Sequence, residues 1–204
     1  FAIIGARAYY VLTTLDTYDY DSLYDVIAIW EGGMAVYGGI IAGEAALVIY
    51  CRLKKLDFRR ALDMVAPGVM IAQAMGRWGN FFNGEAHGSI VAEGSPLYFL
   101  RMGLYPSDIS SLQTVYVHPT FLYESLWNSV GIVLLLCYKK FKSFNGELFY
   151  AYLIWYGLGR VWIEGLRADY LYLGIFRVSQ LLAAATVLVG ICLILLGRRR
   201  KAHV

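Results

Sequence analysis

Charge is scarce in this chain. Asp, Glu, Lys and Arg make up 16% of its 204 residues against 59% hydrophobic ones, and mean hydropathy is +0.53. Soluble domains are nearer a quarter charged, so the balance excludes an ordinary soluble globular protein and points to a membrane protein. Cysteine and histidine number three each. Cys51, Cys137 and Cys192 lie far apart with no CxxC or Cys/His spacing, so they read as apolar packing groups rather than zinc or redox ligands. The chain has no HExxH for an intramembrane zinc protease, no GxSxG serine elbow, and no aspartate cluster for a metal-dependent phosphoalcohol transferase. No metal site and no nucleic-acid partner are expected. The opening residues lack a basic n-region and a small-residue cleavage pattern, which excludes a signal peptide.

What the chain does have is long apolar runs. A membrane-crossing helix needs roughly 20 mostly apolar residues. Stretches 32–50, 64–82, 119–138, 147–163 and 175–196 qualify, and FAIIGARAYYVLTTL at 1–15 makes a sixth. The chain opens at Phe1 with no Met and no polar lead-in, so a seventh span is expected upstream. The expected fold is an all-α polytopic membrane helical bundle forming a single transmembrane domain over 1–204. The connection 83–118 is long and aromatic, with Pro96, Tyr98, Phe99, Tyr105 and Pro106. It is expected to form an interfacial substructure on the external side.

The basic residues set the expected orientation. Five of the 18 Lys and Arg lie in CRLKKLDFRR (51–60), three in YKKFK (138–142) and four in RRRK (198–201). Basic loops stay cytoplasmic, and here they alternate with connections that are poor in Lys and Arg. The C-terminus is then cytoplasmic, and DTYDYDSLYD with its four aspartates is external. The tail reads as a topology anchor, with anionic lipid as a further binding partner.

Ionisable residues inside spans cost about 2.5–3.5 kcal/mol each near the bilayer centre on insertion scales, which makes them default candidates for function. They are Arg7, Glu44, Arg77, Glu124 and Arg160, with Glu164 and Arg167 just outside. The alternation brings four segments to one layer, the outer leaflet: GRWGNFFNG (76–84), HPTFLYE (118–124), YGLGRVWIEGLR (156–167) and GGMAVYGG (32–39). Arginines beside the amides of Asn80 and Asn83 suit an anion such as a phospholipid headgroup, because guanidinium binds phosphate bidentately and keeps its charge in low dielectric. The plainer alternatives are that Arg160 pairs with Glu164 along one helix face and that Arg77 snorkels to the interface. Glu44 lies outside the motif layer and reads as a pairing or packing residue. His87, His118 and Tyr37 remain open as a general base.

GRWGNFFNGEAHG resembles the GRxGNFxNxE signature of the prolipoprotein diacylglyceryl transferases, integral membrane enzymes of bacteria. HPTFLYE is similar to that family's HPxxLYE segment, YGLGRVWIEGLR to YGxxRFxxExxR, and GGMAVYGG to GGxxxHGG, all in the family's order across residues 32–167. The resemblance implies an enzyme of the bacterial cytoplasmic membrane with its active site facing the outer leaflet. That enzyme transfers the diacylglyceryl group of phosphatidylglycerol to the lipobox cysteine of a preprolipoprotein signal peptide, with no cofactor. It implies catalytic roles for Arg77, Arg160, Tyr37, Tyr156 and Glu85. It also implies a phosphatidylglycerol site built from Arg77, Asn80, Asn83, Gly88, His118, Arg160, Glu164 and Arg167. One departure stands out: Tyr37 occupies the place of a histidine favoured as base. A phenol, with an ordinary pKa near 10, is a poor substitute near neutral pH. Set against this reading is an outer-leaflet lipid-binding protein or lipid transporter. A transporter would carry polar groups toward both faces, whereas stretches such as VGIVLLL and VGICLILL are apolar on the cytoplasmic side.

Overall fold

A computed structural model describes residues 1–104, 114–167, 172–173 and 176–202. Tyr105, Pro106, His203 and the first residue of the expected span 175–196 lie outside the described residues. The chain is mostly helical and divides into two compact units, 1–61 and 62–204.

In the first unit, α1 (Ala2–Thr14) packs against α3 (Val36–Leu53), with Ala2 and Ala6 of α1 close to Gly39 and Gly43 of α3. Small side chains on both faces let the backbones approach closely. Between them, α2 (Leu23–Ile27) begins with a capping box: Ser22 Oγ accepts from the Asp25 backbone N–H, and the Asp25 carboxylate accepts from the Ser22 N–H. Arg7 organises this connection. Its guanidinium donates to the carbonyls of Val26 (2.8 Å), Asp25 (2.6 Å), Gly32 (2.6 Å) and Gly33 (2.9 Å). Gly32 and Gly33 sit at φ 92° and 72°, a region open to glycine and strained for other residues. Helix α3 therefore starts at Val36, four residues inside the expected span, because the glycine pair turns its carbonyls to Arg7. Glu44 is exposed on α3 within its unit.

The second unit holds α4 (Phe58–Asn83, whose first turn precedes the boundary), α5 (Thr120–Tyr138), α6 (Glu147–Ile163) and α7 (Val178–Ala202). Ala66, Met70, Leu135, Leu148 and Tyr152 form its core. Trp127 and Trp155 stack at 4.3 Å and lock α5 to α6, each indole N–H donating to the other residue's backbone carbonyl at 3.0 Å. Gln73 of α4 donates to the Tyr152 hydroxyl of α6 at 2.9 Å.

The six apolar runs read from sequence overlap the helices α1, α3, α4, α5, α6 and α7. Among the described residues, Val36–Leu53, Thr120–Tyr138 and Ser179–Ala202 are long and apolar enough on their own to cross a membrane. Helix α1 has 13 residues and α6 has 17, while α4 is interrupted by Asp63, Gln73 and Arg77. The expected all-α architecture also carries two small antiparallel pairs. In one, β1 (Met102–Leu104) pairs with β2 (Val115–Val117); in the other, β3 (Tyr172–Leu173) pairs with β4 (Phe176–Arg177). Segments of two or three residues are too short to register as alternation, although Val-Tyr-Val has the β-branched and aromatic content that favours strands.

A polar cluster that the sequence reading did not anticipate ties the helix ends where α6 begins and α7 finishes. Asp63, 4% exposed, accepts from the backbone N–H groups of Gly146 (2.9 Å) and Phe149 (3.0 Å), and pairs with Lys142 Nζ at 3.1 Å. A carboxylate from α4 thus caps the N-terminus of α6. Glu147, fully buried, accepts from the Tyr138 hydroxyl and the Ser143 N–H and pairs with Arg198 at 2.6 Å. Replacing Asp63 with Ala leaves two buried N–H groups and a lysine uncompensated. Asp63→Ala is expected to lower unfolding stability in detergent by about 2–4 kcal/mol, read as a lowered thermal midpoint; an unchanged midpoint would contradict the cap.

Candidate active site

At the other end of the second unit's helices, three of the polar segments meet. Glu124, in the first turns of α5 and only 7% exposed, lies between two guanidinium groups. Its Oε2 pairs with Arg77 Nε of α4 at 2.7 Å, and its Oε1 with Arg160 Nη1 of α6 at 3.4 Å. Arg160 Nη2 pairs with Glu164 Oε2 at 2.7 Å, and Ser179 Oγ of α7 donates to Glu164 Oε1 at 2.9 Å. The i,i+4 pairing expected along α6 is therefore present, but it is one link of a longer chain. On the α4 side, Arg77 Nη1 donates to Asn80 Oδ1 at 3.3 Å, and the Asn80 and Asn83 amides donate to Glu85 Oε1 at 3.2 and 3.0 Å. Arg77 does not snorkel without a partner.

The loop after α4 is drawn back over this end by backbone contacts. Gly88 N–H donates to the His118 carbonyl (2.9 Å), His118 N–H to the Ser89 carbonyl (3.0 Å), and Ser89 N–H to the Leu166 carbonyl (2.8 Å). Gly88 also bridges Arg167. A Cβ at Gly88 would lie 2.5 Å from His118 Cβ and 2.9 Å from the Leu166 carbonyl oxygen, so only glycine lets these three segments close together. Thr120 Oγ1 donates to the Ala86 carbonyl at 2.7 Å, holding Ala86 at φ 55°. His118 Nδ1 lies 3.3 Å from the Tyr123 hydroxyl, and His87 Nδ1 lies 3.1 Å from the Gly88 carbonyl oxygen. Arg167 Nε is buried with no hydrogen-bond partner among the described residues.

The network therefore joins Arg77, Asn80, Asn83, Glu85, Arg160 and Glu164 through side chains, and Gly88, His118 and Arg167 through backbone. Tyr156, one turn before Arg160, lines a small cavity with Arg160 and Glu124. Tyr37 belongs to the first unit, where it lies at the start of α3 and is 72% exposed. Glu124 is the residue the sequence reading undervalued. It stood among the in-span ionisable groups, but nothing in its local pattern shows that it bridges two helices. Among the described residues no group of three or more His, Cys, Asp or Glu is placed to hold a metal ion.

Chemically, the arrangement is a pair of arginines with side chains 25% and 19% exposed, oriented by buried carboxylates. Neither uses all five of its guanidinium N–H donors in these contacts. Such a pair can receive an anion at one edge while the carboxylate holds the other.

Comparison with known proteins agrees with the motifs. Residues 1–196 match the family described as prolipoprotein diacylglyceryl transferase. This chain belongs to that family. Similar relatives are named phosphatidylglycerol–prolipoprotein diacylglyceryl transferases. One from Listeria welshimeri is 45% identical over 97% of this chain and 70% of its own length. One from Streptococcus uberis is 45% identical over 98% and 76%, and one from Streptococcus pyogenes is 46% identical over the same shares. Membership in the transferase family and the apolar helices make the chain a bacterial membrane protein.

If Glu124 sets the arginine pair, removing its charge should turn the site into a stronger anion receptor. Glu124→Gln is expected to cost about 2–4 kcal/mol of stability and to regain part of it on adding inorganic phosphate, by mass action on the folded state. Thermal midpoints with and without phosphate check this; equal phosphate responses in wild type and variant would contradict it.

Proposed function

We propose that this chain transfers the sn-1,2-diacylglyceryl group of phosphatidylglycerol to the lipobox cysteine of preprolipoproteins. The sulfur attacks the glyceryl C3, the C3–O bond to phosphorus breaks, and a thioether forms as glycerol 1-phosphate leaves with the bonding electron pair. The thiol proton passes to a base or to the departing phosphate. The observation that carries the reading is the pair of arginines from the family's GRxGN and YGxxR segments held by one buried carboxylate, in a chain whose relatives bear that enzyme's name.

The residues divide the work as follows. Arg77 and Arg160 bind the headgroup phosphate and stabilise the charge that accumulates as it leaves. Glu124 and Glu164 orient them. Asn80, Asn83 and Glu85 fix the end of α4 beneath the headgroup, while Gly88, His118 and Arg167 close the loop over it. Tyr156 contacts the lipid below Arg160. Tyr37, at the place of the family's histidine, serves as hydrogen-bond donor or proton acceptor. The thiol, with an ordinary pKa near 8.5, ionises more readily in the field of the arginines.

The setting follows the same reading. Six of the helices span the cytoplasmic membrane within a single transmembrane domain. The C-terminal helix end and basic loops are cytoplasmic, the site faces the outer leaflet, and the described parts of the connection after α4, 84–104 and 114–118, lie at the external interface. A lipid transporter fits less well, because this charged network pairs internally instead of lining a path between faces.

Transfer of labelled phosphatidylglycerol to a lipobox peptide tests the function. Wild type should label the cysteine; Arg77→Ala and Arg160→Ala should each lose about 10²–10³-fold in rate, the scale of removing a charge-stabilising donor. No transfer by wild type would sink the proposal, and full activity in Arg77→Ala would sink the headgroup role. Tyr37→Phe separates its two roles from a bystander: an unchanged rate would clear Tyr37 of proton transfer.

A further inference from the structure

One buried polar side chain at this end of the second unit takes no part in the network just described. Asn128 lies on α5, one turn beyond Glu124, and is 5% exposed. With Glu124, Trp127, Tyr156, Arg160 and Ile163 it lines a cavity of about 10 Å³ between α5 and α6, the scale of a single water-sized group. Among the described residues no side-chain hydrogen bond reaches the Asn128 amide or the Tyr156 hydroxyl, and both residues line the cavity. An amide that opens onto so small a space is costly to leave unpaired, and more so at membrane depth where no bulk water competes. Unlike Thr120, Glu124 and Ser125 of the same helix, whose side chains are bonded, Asn128 therefore calls for a partner that arrives with the ligand.

The cavity's chemistry narrows what that partner is. Glu124 accepts and is already paired with both arginines, and Trp127 Nε1–H is committed to the Trp155 carbonyl. The neutral uncommitted donors are the Asn128 NH₂ and the Tyr156 O–H, beside the spare N–H of Arg160; the group they match is an acceptor oxygen, and the charge of Glu124 in the same lining disfavours a second anion there. Position narrows it further. Asn128 follows Glu124 by four residues on α5, and Tyr156 precedes Arg160 by four on α6, so both lie one turn, about 6 Å, from the arginine layer toward the middle of the helices. A phospholipid whose phosphate rests on the arginines and whose chains run along the helices carries its glycerol ester carbonyls on that inner side. Of the other amides nearby, Asn80 and Asn83 turn their nitrogens to Glu85 at the far end of α4, and Gln180 donates to the Val161 carbonyl.

We infer that Asn128 and Tyr156 form a subsite for an acyl ester carbonyl of the donor lipid, one helical turn below the phosphate-binding arginines. The inference rests on the proposed transferase function and adds to it a contact that reads the acyl linkage rather than the headgroup. The subsite fixes the glyceryl C3 between two anchors, phosphate on one side and ester carbonyl on the other.

The test compares phosphatidylglycerol carrying two ester-linked chains with its dialkyl ether analogue, which keeps the headgroup, the reacting carbon and the chains but lacks the carbonyl oxygens. Full-length protein in proteoliposomes transfers each to a lipobox peptide. Wild type should show a KM for the ether lipid raised about tenfold, the scale of one lost hydrogen bond to a buried donor. Asn128→Leu should raise KM for the ester lipid and bring the ether-to-ester ratio close to one. An unchanged ratio in Asn128→Leu would overturn the subsite and mark Asn128 as structural or water-binding. If that variant does not fold, the wild-type comparison decides: equal KM values for ester and ether lipids overturn the inference while leaving the transferase function standing. Transfer of neither lipid by wild type would instead remove the function on which the inference rests.

Discussion

A carboxylate buried in an apolar helix is tolerable only when opposite charge meets it, and Glu124 meets two guanidinium groups from two other helices. That single interaction sets the relation of α4, α5 and α6 at one end of the second unit. It brings together motifs 36 residues apart in the Arg160–Glu124 pair and 47 residues apart in the Trp78–Ser125 hydrogen bond beside it. It also decides what the arginines can do. Two like charges held close repel unless an anion lies between them; Glu124 supplies that anion in the resting protein. On the proposed reading, a phosphate approaching from the surface meets a preformed edge of N–H donors, with no reorganisation needed at the moment of reaction.

The rest of the second unit keeps that geometry in place. The Trp127–Trp155 stack fixes α5 against α6 a turn from the site, and Asp63 and Glu147 pin the opposite helix ends. The loop after α4 is held by main-chain hydrogen bonds through Gly88, which must remain small, and by the Thr120 hydroxyl on the Ala86 carbonyl. The two ends use charge differently. At the Asp63 end the carboxylates cap helix termini and tie down lysine and arginine. At the Glu124 end they leave guanidinium donors over.

Much of this was legible in the sequence, for definite reasons. The six long helices follow from apolar runs, and GRWGNFFNG, HPTFLYE and YGLGRVWIEGLR carried the family by order and spacing. What was illegible depends on which residues meet across helices. Arg7 ranked with Arg77 as an in-span cation, yet its four bonds go to backbone carbonyls of a connection whose path only the fold reveals. Glu124 looked like one acidic residue among several, because bridging two helices leaves no local trace. Asp63 and Glu147 sit beside basic loops with no local pattern that marks them as buried, yet in the fold both are. The start of α3 slipped by four residues because Gly32–Gly33 obeys a tertiary contact rather than hydropathy.

The most direct measurement of the central claim is the contact between lipid phosphorus and arginine nitrogen. Solid-state NMR dipolar recoupling between ³¹P of phosphatidylglycerol and ¹⁵N-guanidinium label in membrane-embedded protein reads that distance, with Arg77→Lys and Arg160→Lys assigning the signal. The account predicts a ³¹P–¹⁵N coupling at hydrogen-bonding range, about 4 Å or less, diminished by either substitution. A coupling that is absent, or that persists undiminished in both variants, would contradict it.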